Sequence, residues 1–143
     1  MIVISHRGNI EGPNPLLENH PNQILKCLDK DFEVEIDVWF LDGWFLGHDE
    51  PQHKVDIAFL QKSKLWCHAK NIEALYNLRK NNINCFWHQK DDVTLTSTGF
   101  IWTYPGKKLT KNSICVMPEL LDQDIKECHG VCTDYPLKYK ELK

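Results

Sequence analysis

Acidic and β-branched residues alternate strictly in the segment Glu-Val-Glu-Ile-Asp-Val, residues 33–38. Side chains two positions apart on a strand point to the same face, so the pattern predicts a strand with three carboxylates on one face. The opposite face carries three apolar side chains and is expected to pack against a core. The acidic face has two interpretations, either solvated surface or a site of chemistry, and the alternation alone leaves both open.

A hairpin signal follows this strand directly. Asp42-Gly43 lies between two apolar segments, and Asp-Gly in that setting is typical of a β-hairpin. The returning segment ends in Gly47-His48-Asp49. The hairpin therefore brings a histidine back towards the end of the strand that carries Glu35 and Asp37. Two carboxylates and a histidine brought together in this way predict a metal and acid–base site.

Apolar periodicity predicts the other elements of the chain. The predicted strands span residues 2–5, 65–70, 83–88, 100–104, 113–117 and 130–134, and the predicted helices span 22–30, 56–62, 72–81 and 120–128. Strands that alternate with helices or short connections predict a parallel α/β fold. The chain shows no internal repeat or linker, so residues 1–143 are expected to form a single domain.

Reactive side chains stand at or near the ends of several predicted strands. They are His6, Asp37, His68, Lys70, His88 and Asp134. The carboxyl ends of all strands converge on one mouth in a barrel, whereas an open sheet spreads them along an edge. This favours a TIM-type (β/α) barrel. A full barrel needs about 200 residues or more, so we predict a pruned one, with about seven to eight strands and some outer helices missing.

The composition limits the classes of partner and the cellular compartment that we expect for this protein. The net charge of -3 argues against a nucleic-acid partner, which would require a basic face. No apolar run approaches about 18 residues, so no integral membrane contact is expected, and the first residues do not have the pattern of a signal peptide. The six cysteines are scattered without a Cys-x-x-Cys motif. Buried, reduced thiols are the favoured interpretation over a disulfide framework, which indicates a cytoplasmic protein.

Five motifs occur in order along most of the chain. They are His6-Arg7-Gly8, Glu18-Asn19, Glu35-Ile36-Asp37-Val38, Asp42-Gly43 with Gly47-His48-Asp49, and Thr133-Asp134-Tyr135-Pro136. In these motifs the chain resembles the glycerophosphodiester phosphodiesterase family, as a short variant. The resemblance implies a barrel fold and the cleavage of phosphodiesters with a divalent metal ion and two histidines.

The resemblance also implies a role for each matching residue. By position, His6 and His48 would be the acid–base pair, Glu35 and Asp37 would bind the metal, Arg7 and Lys70 would bind phosphate, and Glu18 and Asn19 would line the site. Trp102 is a further candidate for the wall of the mouth, although large aromatic side chains more often serve in packing.

Two positions depart from the family pattern. The family has Glu-x-Lys on its third strand, where the Glu is a metal ligand, and this chain has His68-Ala69-Lys70. Leu17 replaces the proline that precedes Glu-Asn in the family. The expected cofactor is one divalent ion (Mg, Ca or Mn), bound by Glu35, Asp37 and His68. Because imidazole suits transition metals better than hard ions, His68 favours Mn or another transition metal.

The resemblance implies a metal-dependent phosphodiesterase of lipid metabolism. It would hydrolyse small glycerophosphodiesters to glycerol phosphate and an alcohol, with the two histidines as general acid and base. Two alternatives stay open at this point. A shortened barrel with an altered metal ligand is also compatible with a non-catalytic module that binds a phosphorylated polyol. Phospholipase D-like enzymes that act on lysophospholipids or sphingolipids share a related layout of His, Glu-x-Asp and His, so the motifs leave the substrate class open.

Overall fold

A computed structural model describes residues 1–142, which form a ten-stranded mixed sheet with four short helices. The strands are β1 (Ile2–His6), β2 (Glu33–Phe40), β3 (Trp44–Leu46), β4 (His53–Val55), β5 (Leu65–Ala69), β6 (Cys85–Phe86), β7 (Val93–Leu95), β8 (Ile101–Thr103), β9 (Ser113–Val116) and β10 (Gly130–Thr133). The helices are α1 (Pro21–Asp29), α2 (Ile57–Leu60), α3 (Ile72–Lys80) and α4 (Pro136–Lys140).

The sheet is parallel through its centre and antiparallel at its margins. Its parallel strands lie in the order β6-β5-β2-β1-β10-β9-β8. Strand β7 pairs with β8 in the antiparallel direction. The β3–β4 hairpin pairs with the last residues of β2. The carboxyl ends of β1, β2 and β5 therefore lie side by side, and the hairpin extends beyond them.

The predicted TIM-type barrel is wrong. The structure is an open mixed sheet, since the end strands β6 and β7 form no strand pair with each other within residues 1–142. Short connections and the antiparallel strand β7 follow β6, where a barrel would need helices. Two hydrogen bonds between Cys85 and Ser97 connect the first residue of β6 to the segment after β7, without forming a ladder.

The two faces of the sheet carry different cores. On the outer face, Val34, Ile36 and Val38 of β2 are fully buried in the core cluster that also contains residues of α1 and α3. On the inner face, the sheet curves enough for the rings of Phe86 in β6 and Trp102 in β8 to stack at 4.5 Å. The predicted division of β2 into an apolar face and an acidic face is confirmed by this arrangement.

Most predicted elements are present, and the hairpin turns at Asp42-Gly43 as expected. The predicted helix at 120–128 is wrong. A single 3-10 turn (Pro118–Leu120), preceded by Met117 in a left-handed conformation with φ of 49°, leads into turns and irregular backbone over 121–128. The Asp124 side chain accepts from the backbone N–H of Lys126, and such local bonds compete with a helix. Strands β4 and β7 and helix α4 were not predicted.

The cysteines are free, and five of the six are buried, as the sequence predicted. Among residues 1–142, no helix has the length and apolar character needed to cross a membrane.

Candidate functional site

A cavity of about 210 Å³ opens at the carboxyl ends of the parallel strands. Its polar wall comprises His6, Arg7, Glu35, Asp37, His48 and His68. Its other wall comprises His88, Trp102, Tyr104, Pro105, Val116 and Met117. Both histidines predicted as the acid–base pair thus line the same cavity as the predicted metal ligands.

The strand register explains why the polar residues meet. In β2, Glu35 lies opposite His6 of β1, and Asp37 lies opposite His68 of β5. The carboxylates are also buried, because Glu35 is 2% exposed and Asp37 is 1% exposed. A solvated acidic face is therefore the wrong interpretation for these two residues, and their charges need partners inside the protein.

Glu35, Asp37 and His68 form a compact cluster whose ligand atoms lie within 4.8 Å of one another. The His68 Nδ1 atom is 3.3 Å from Asp37 Oδ1 and 3.8 Å from Glu35 Oε1. On the far side of the ring, Nε2 donates to the carbonyl of His88 at 2.9 Å. A carbonyl oxygen only accepts, so Nε2 carries a proton, and Nδ1 is the ring atom that faces the carboxylates.

This donor set fits a divalent metal ion. Asp37 Oδ1 is buried and has no hydrogen-bond partner among the described residues. Its ion-pair contact is His68 Nδ1 at 3.3 Å. A buried carboxylate oxygen without a hydrogen bond is costly, and a cation at this position would satisfy it. Two carboxylates and one imidazole whose outer N–H is held by a backbone carbonyl are a recurrent metal-binding arrangement.

The second oxygen of Asp37 is held by residues in a strained loop. Asn19 donates to Asp37 Oδ2 at 2.9 Å and accepts from the Asp37 backbone N–H at 2.8 Å, and Arg7 Nε lies 3.3 Å from the same Oδ2. Both Arg7 and Asn19 have left-handed backbones, with φ of 54° and 60°. Strained residues of this kind persist where the surroundings fix them, as they do at many functional sites.

The two carboxylates differ in acidity. Burial opposes ionisation of Asp37, but His68, Arg7 and Asn19 outweigh it and lower its pKa to about 2. Burial raises the pKa of Glu35, and the neighbouring charge of Asp37 raises it further. Asp37 is therefore the ionised member of the pair. A cation between the two carboxylates would favour ionisation of both.

His6 is oriented by a carboxylate from the last strand of the sheet. Its Nδ1 atom lies 2.8 Å from Asp134 Oδ1, while Nε2 lies 3.9 Å from Glu35 Oε2. Burial alone would lower the pKa of His6, but Asp134 and Glu35 raise it above the ordinary value. The Asp134 carboxylate also accepts from Asn9, and the Asp134 backbone N–H donates to Glu119. His6 Nε2 therefore faces the carboxylate cluster, which suits proton transfer in the cavity.

His48 reaches the cavity from the loop after β3. Its Nδ1 atom lies 2.7 Å from Asp49 Oδ1. The preceding Gly47 donates its N–H to the Asp37 carbonyl and accepts from Trp39 Nε1 through its own carbonyl. The loop is thus attached to the strand that carries the metal-ligand candidates.

We expect Gly47→Ala to destabilise the protein by about 2–3 kcal/mol, because a Cβ atom at Gly47 would lie 2.0 Å from the Glu50 carbonyl oxygen and the φ of Gly47 is 155°. Gly99→Ala is the matched control, since Gly99 also has a positive φ, 91°, but has open space where the added methyl group would lie. Chemical denaturation of both variants measures the difference. Equal losses of stability in the two variants would show that the loop accommodates the methyl group at position 47.

The remaining predicted residues fall into three groups. Trp102 lines the cavity, whereas Glu18 and Asn19 support it: Glu18 pairs with Arg7 at 3.3 Å, and Asn19 holds Asp37. Lys70 is not among the residues that line the cavity, and its role as a phosphate ligand stays a prediction.

Sequence reasoning missed the roles of three supporting residues. Asp134 belongs to one of the five motifs and stands at a strand end, and that position was the signal that could have paired it with His6. Asn9 and Glu119 lie in segments without a periodic pattern, so only the folded chain brings them to Asp134.

Comparison with known proteins found no match to this chain among models of protein families, curated sequences or solved structures.

Proposed function

We propose that this chain is a metal-dependent phosphodiesterase that hydrolyses glycerophosphodiesters to glycerol phosphate and an alcohol. The observation that carries the proposal is the position of His6, whose Nε2 faces the buried cluster of Glu35, Asp37 and His68 while Asp134 holds Nδ1. A metal site beside an oriented proton-transfer group is what cleavage of a charged phosphodiester requires. The five ordered motifs that resemble phosphodiesterases support this substrate class.

Glu35, Asp37 and His68 would hold one divalent ion. When bound, such an ion supplies positive charge that offsets the charge building up on the phosphate oxygens. The protein's part is to keep both carboxylates and the His68 Nδ1 atom close together, and the register of β2 and β5 supports this by pairing Asp37 with His68. The mixed oxygen and nitrogen donors favour Mn or another transition ion.

The two histidines divide the proton transfers. The raised pKa of His6 favours its protonated form, which suits it to protonate the leaving alcohol oxygen. His48, whose side chain is the more exposed of the two, would accept the proton of the attacking hydroxyl. That hydroxyl belongs either to water or to the substrate itself. Each such transfer typically contributes about 100- to 10,000-fold to the rate.

Arg7 provides the fixed positive charge of the polar wall. Its guanidinium is held between Asp37 and Glu18 at 3.3 Å from each. This leaves part of a planar, permanently charged group at the cavity for a phosphate oxygen. Lys70 remains a proposed second phosphate contact on the family resemblance alone. The free cysteines support a reducing compartment such as the cytoplasm.

A substrate panel tests the proposal. Purified protein is assayed with glycerophosphodiesters of several head groups, lysophospholipids and sphingomyelin, each with Mg, Ca, Mn and Zn, and glycerol phosphate release is followed. We expect metal-dependent release from the glycerophosphodiesters. Binding of these compounds without cleavage under every metal would favour a polyol-phosphate binding module. Cleavage confined to lysophospholipid or sphingomyelin would favour the phospholipase D-like alternative.

We expect His68→Glu to change the metal ranking, with activity moving from Mn towards Mg and Ca, because a third carboxylate restores a hard, all-oxygen site. His53→Glu is the control, since it makes the same exchange on β4, outside the residues that line the cavity. The measurement is turnover across the four metals for the parent and both variants. An unchanged ranking in His68→Glu would mean that His68 does not contact the ion.

A further inference from the structure

His68 is constrained on three sides. Its Nε2 atom donates to the His88 carbonyl at 2.9 Å, and its ring stacks on Phe86 at 4.9 Å with an interplanar angle of 16°. Only Nδ1 remains on the side of the carboxylates, 3.3 Å from Asp37. A ring held in this way cannot rotate to offer Nε2 to the cavity without leaving the His88 carbonyl unpaired.

The turn that supplies this carbonyl is itself held by neighbouring groups. His88 Nε2 donates to the carbonyl of Asp91, and the His88 ring packs edge-on against Tyr104 at 3.7 Å. The Tyr104 hydroxyl donates to the carbonyl of Gln89 at 3.1 Å, and the Tyr104 backbone N–H donates to Asp92 at 3.0 Å. The direction of the His88 carbonyl therefore depends on the His88 ring and on the Tyr104 side chain, both of which line the cavity.

The geometry points to His88 as a positioning residue for the metal site. We infer that the turn at residues 88–91, braced by Tyr104, keeps the proton of His68 on Nε2 and so makes His68 an Nδ1 ligand. This inference rests on the proposed metal-dependent function. Outer groups that orient a ligating histidine typically change metal affinity by about 10- to 100-fold. A carboxylate at position 68 would have no tautomer to set, so the turn would then lose its influence on the metal.

The first test observes the tautomer without any metal. In the 143-residue chain with ¹⁵N-labelled histidine, the imidazole shifts are measured at alkaline pH, and His68 is assigned from its missing signals in His68→Glu. We expect the proton on Nε2. A proton on Nδ1 would overturn the inference.

The second test is a double-mutant cycle on Mn²⁺ affinity measured by calorimetry. We expect His88→Ala to weaken binding by about 10- to 100-fold in the parent but to have little effect in the His68→Glu background. Tyr104→Phe removes only the hydroxyl that holds Gln89, so it keeps the test decisive if His88→Ala does not fold. We expect Tyr104→Phe to weaken Mn²⁺ binding, as His88→Ala does, and to increase the fraction of His68 rings that carry the proton on Nδ1.

The failures of the inference and of the proposed function are distinguishable. If the parent binds none of the divalent ions, the proposed function fails, while the tautomer measurement still decides how His68 is positioned. If the parent binds Mn²⁺ and both variants bind it equally well, with His68 unchanged in its tautomer, the positioning role is overturned and the proposed function stands. An equal loss of affinity in the parent and in the His68→Glu background would also overturn the role, since it would indicate general damage to the site.

Discussion

Replacing His6 with alanine is expected to lower kcat by about 100- to 10,000-fold, the range typical for loss of a general acid or base. The reason is its position, with Nδ1 held by Asp134 at 2.8 Å and Nε2 facing the carboxylate cluster. His6 is not among the candidate metal ligands, so Mn²⁺ affinity should stay near that of the parent. Steady-state kinetics and calorimetry on the same preparation separate the two effects.

One further variant tests the orientation of His6, and a second is a control. Asp134→Asn keeps the shape of the side chain but removes the charge that favours protonated His6, so we expect a smaller loss of kcat than in His6→Ala. His53→Ala removes an imidazole that does not line the cavity and should leave turnover unchanged. Near-normal turnover in His6→Ala would show that His6 is not a member of the acid–base pair.

Asp37→Asn is expected to weaken divalent-ion binding by more than about 100-fold, beyond the effect typical of supporting residues. The amide keeps the size of the side chain, but it removes the charge of a carboxylate that has a pKa of about 2 and is therefore ionised at neutral pH. It also removes the buried Oδ1 anion that has no hydrogen-bond partner in the described part of the chain. Calorimetric titration with Mn²⁺ measures the loss.

Glu33→Gln is the matched control for Asp37→Asn. Glu33 lies on the same face of β2, but its side chain accepts from Trp66 Nε1 at 2.6 Å and does not line the cavity. An amide oxygen can still accept that hydrogen bond, so metal affinity should not change. Retention of parental affinity in Asp37→Asn would remove the basis for a metal site on β2.

Strongly patterned elements could be predicted from the sequence, whereas some short ones could not. The alternation at residues 33–38 predicted β2 and its two faces, because every second residue of a strand faces the same side and the pattern is visible in consecutive residues. Strands β4 and β7 have three residues each, too few to show a period. The predicted helix at 120–128 had apolar spacing, but the left-handed Met117 and the local bond of Asp124 led the chain into turns.

The barrel prediction failed for a non-local reason. Reactive residues at strand ends indicated that these ends converge, and the cavity lined by β1, β2 and β5 residues agrees with that part. Closure is a separate property, which depends on pairing between the first and last strands of a sheet. Here β7 runs antiparallel and leaves β6 without a second partner strand in the described residues.

The sequence by itself determined which side chains of β2 share a face, that a hairpin returns His48 towards them, and that histidines stand at or near the ends of several strands. These features follow from local spacing. Only the tertiary structure decided that Glu35 and Asp37 are buried, that Asp134 orients His6 across 128 positions of the chain, and that the His88 carbonyl fixes His68. The reason is physical: strand register and loop packing bring these partners together through contacts between distant segments, which no local pattern encodes.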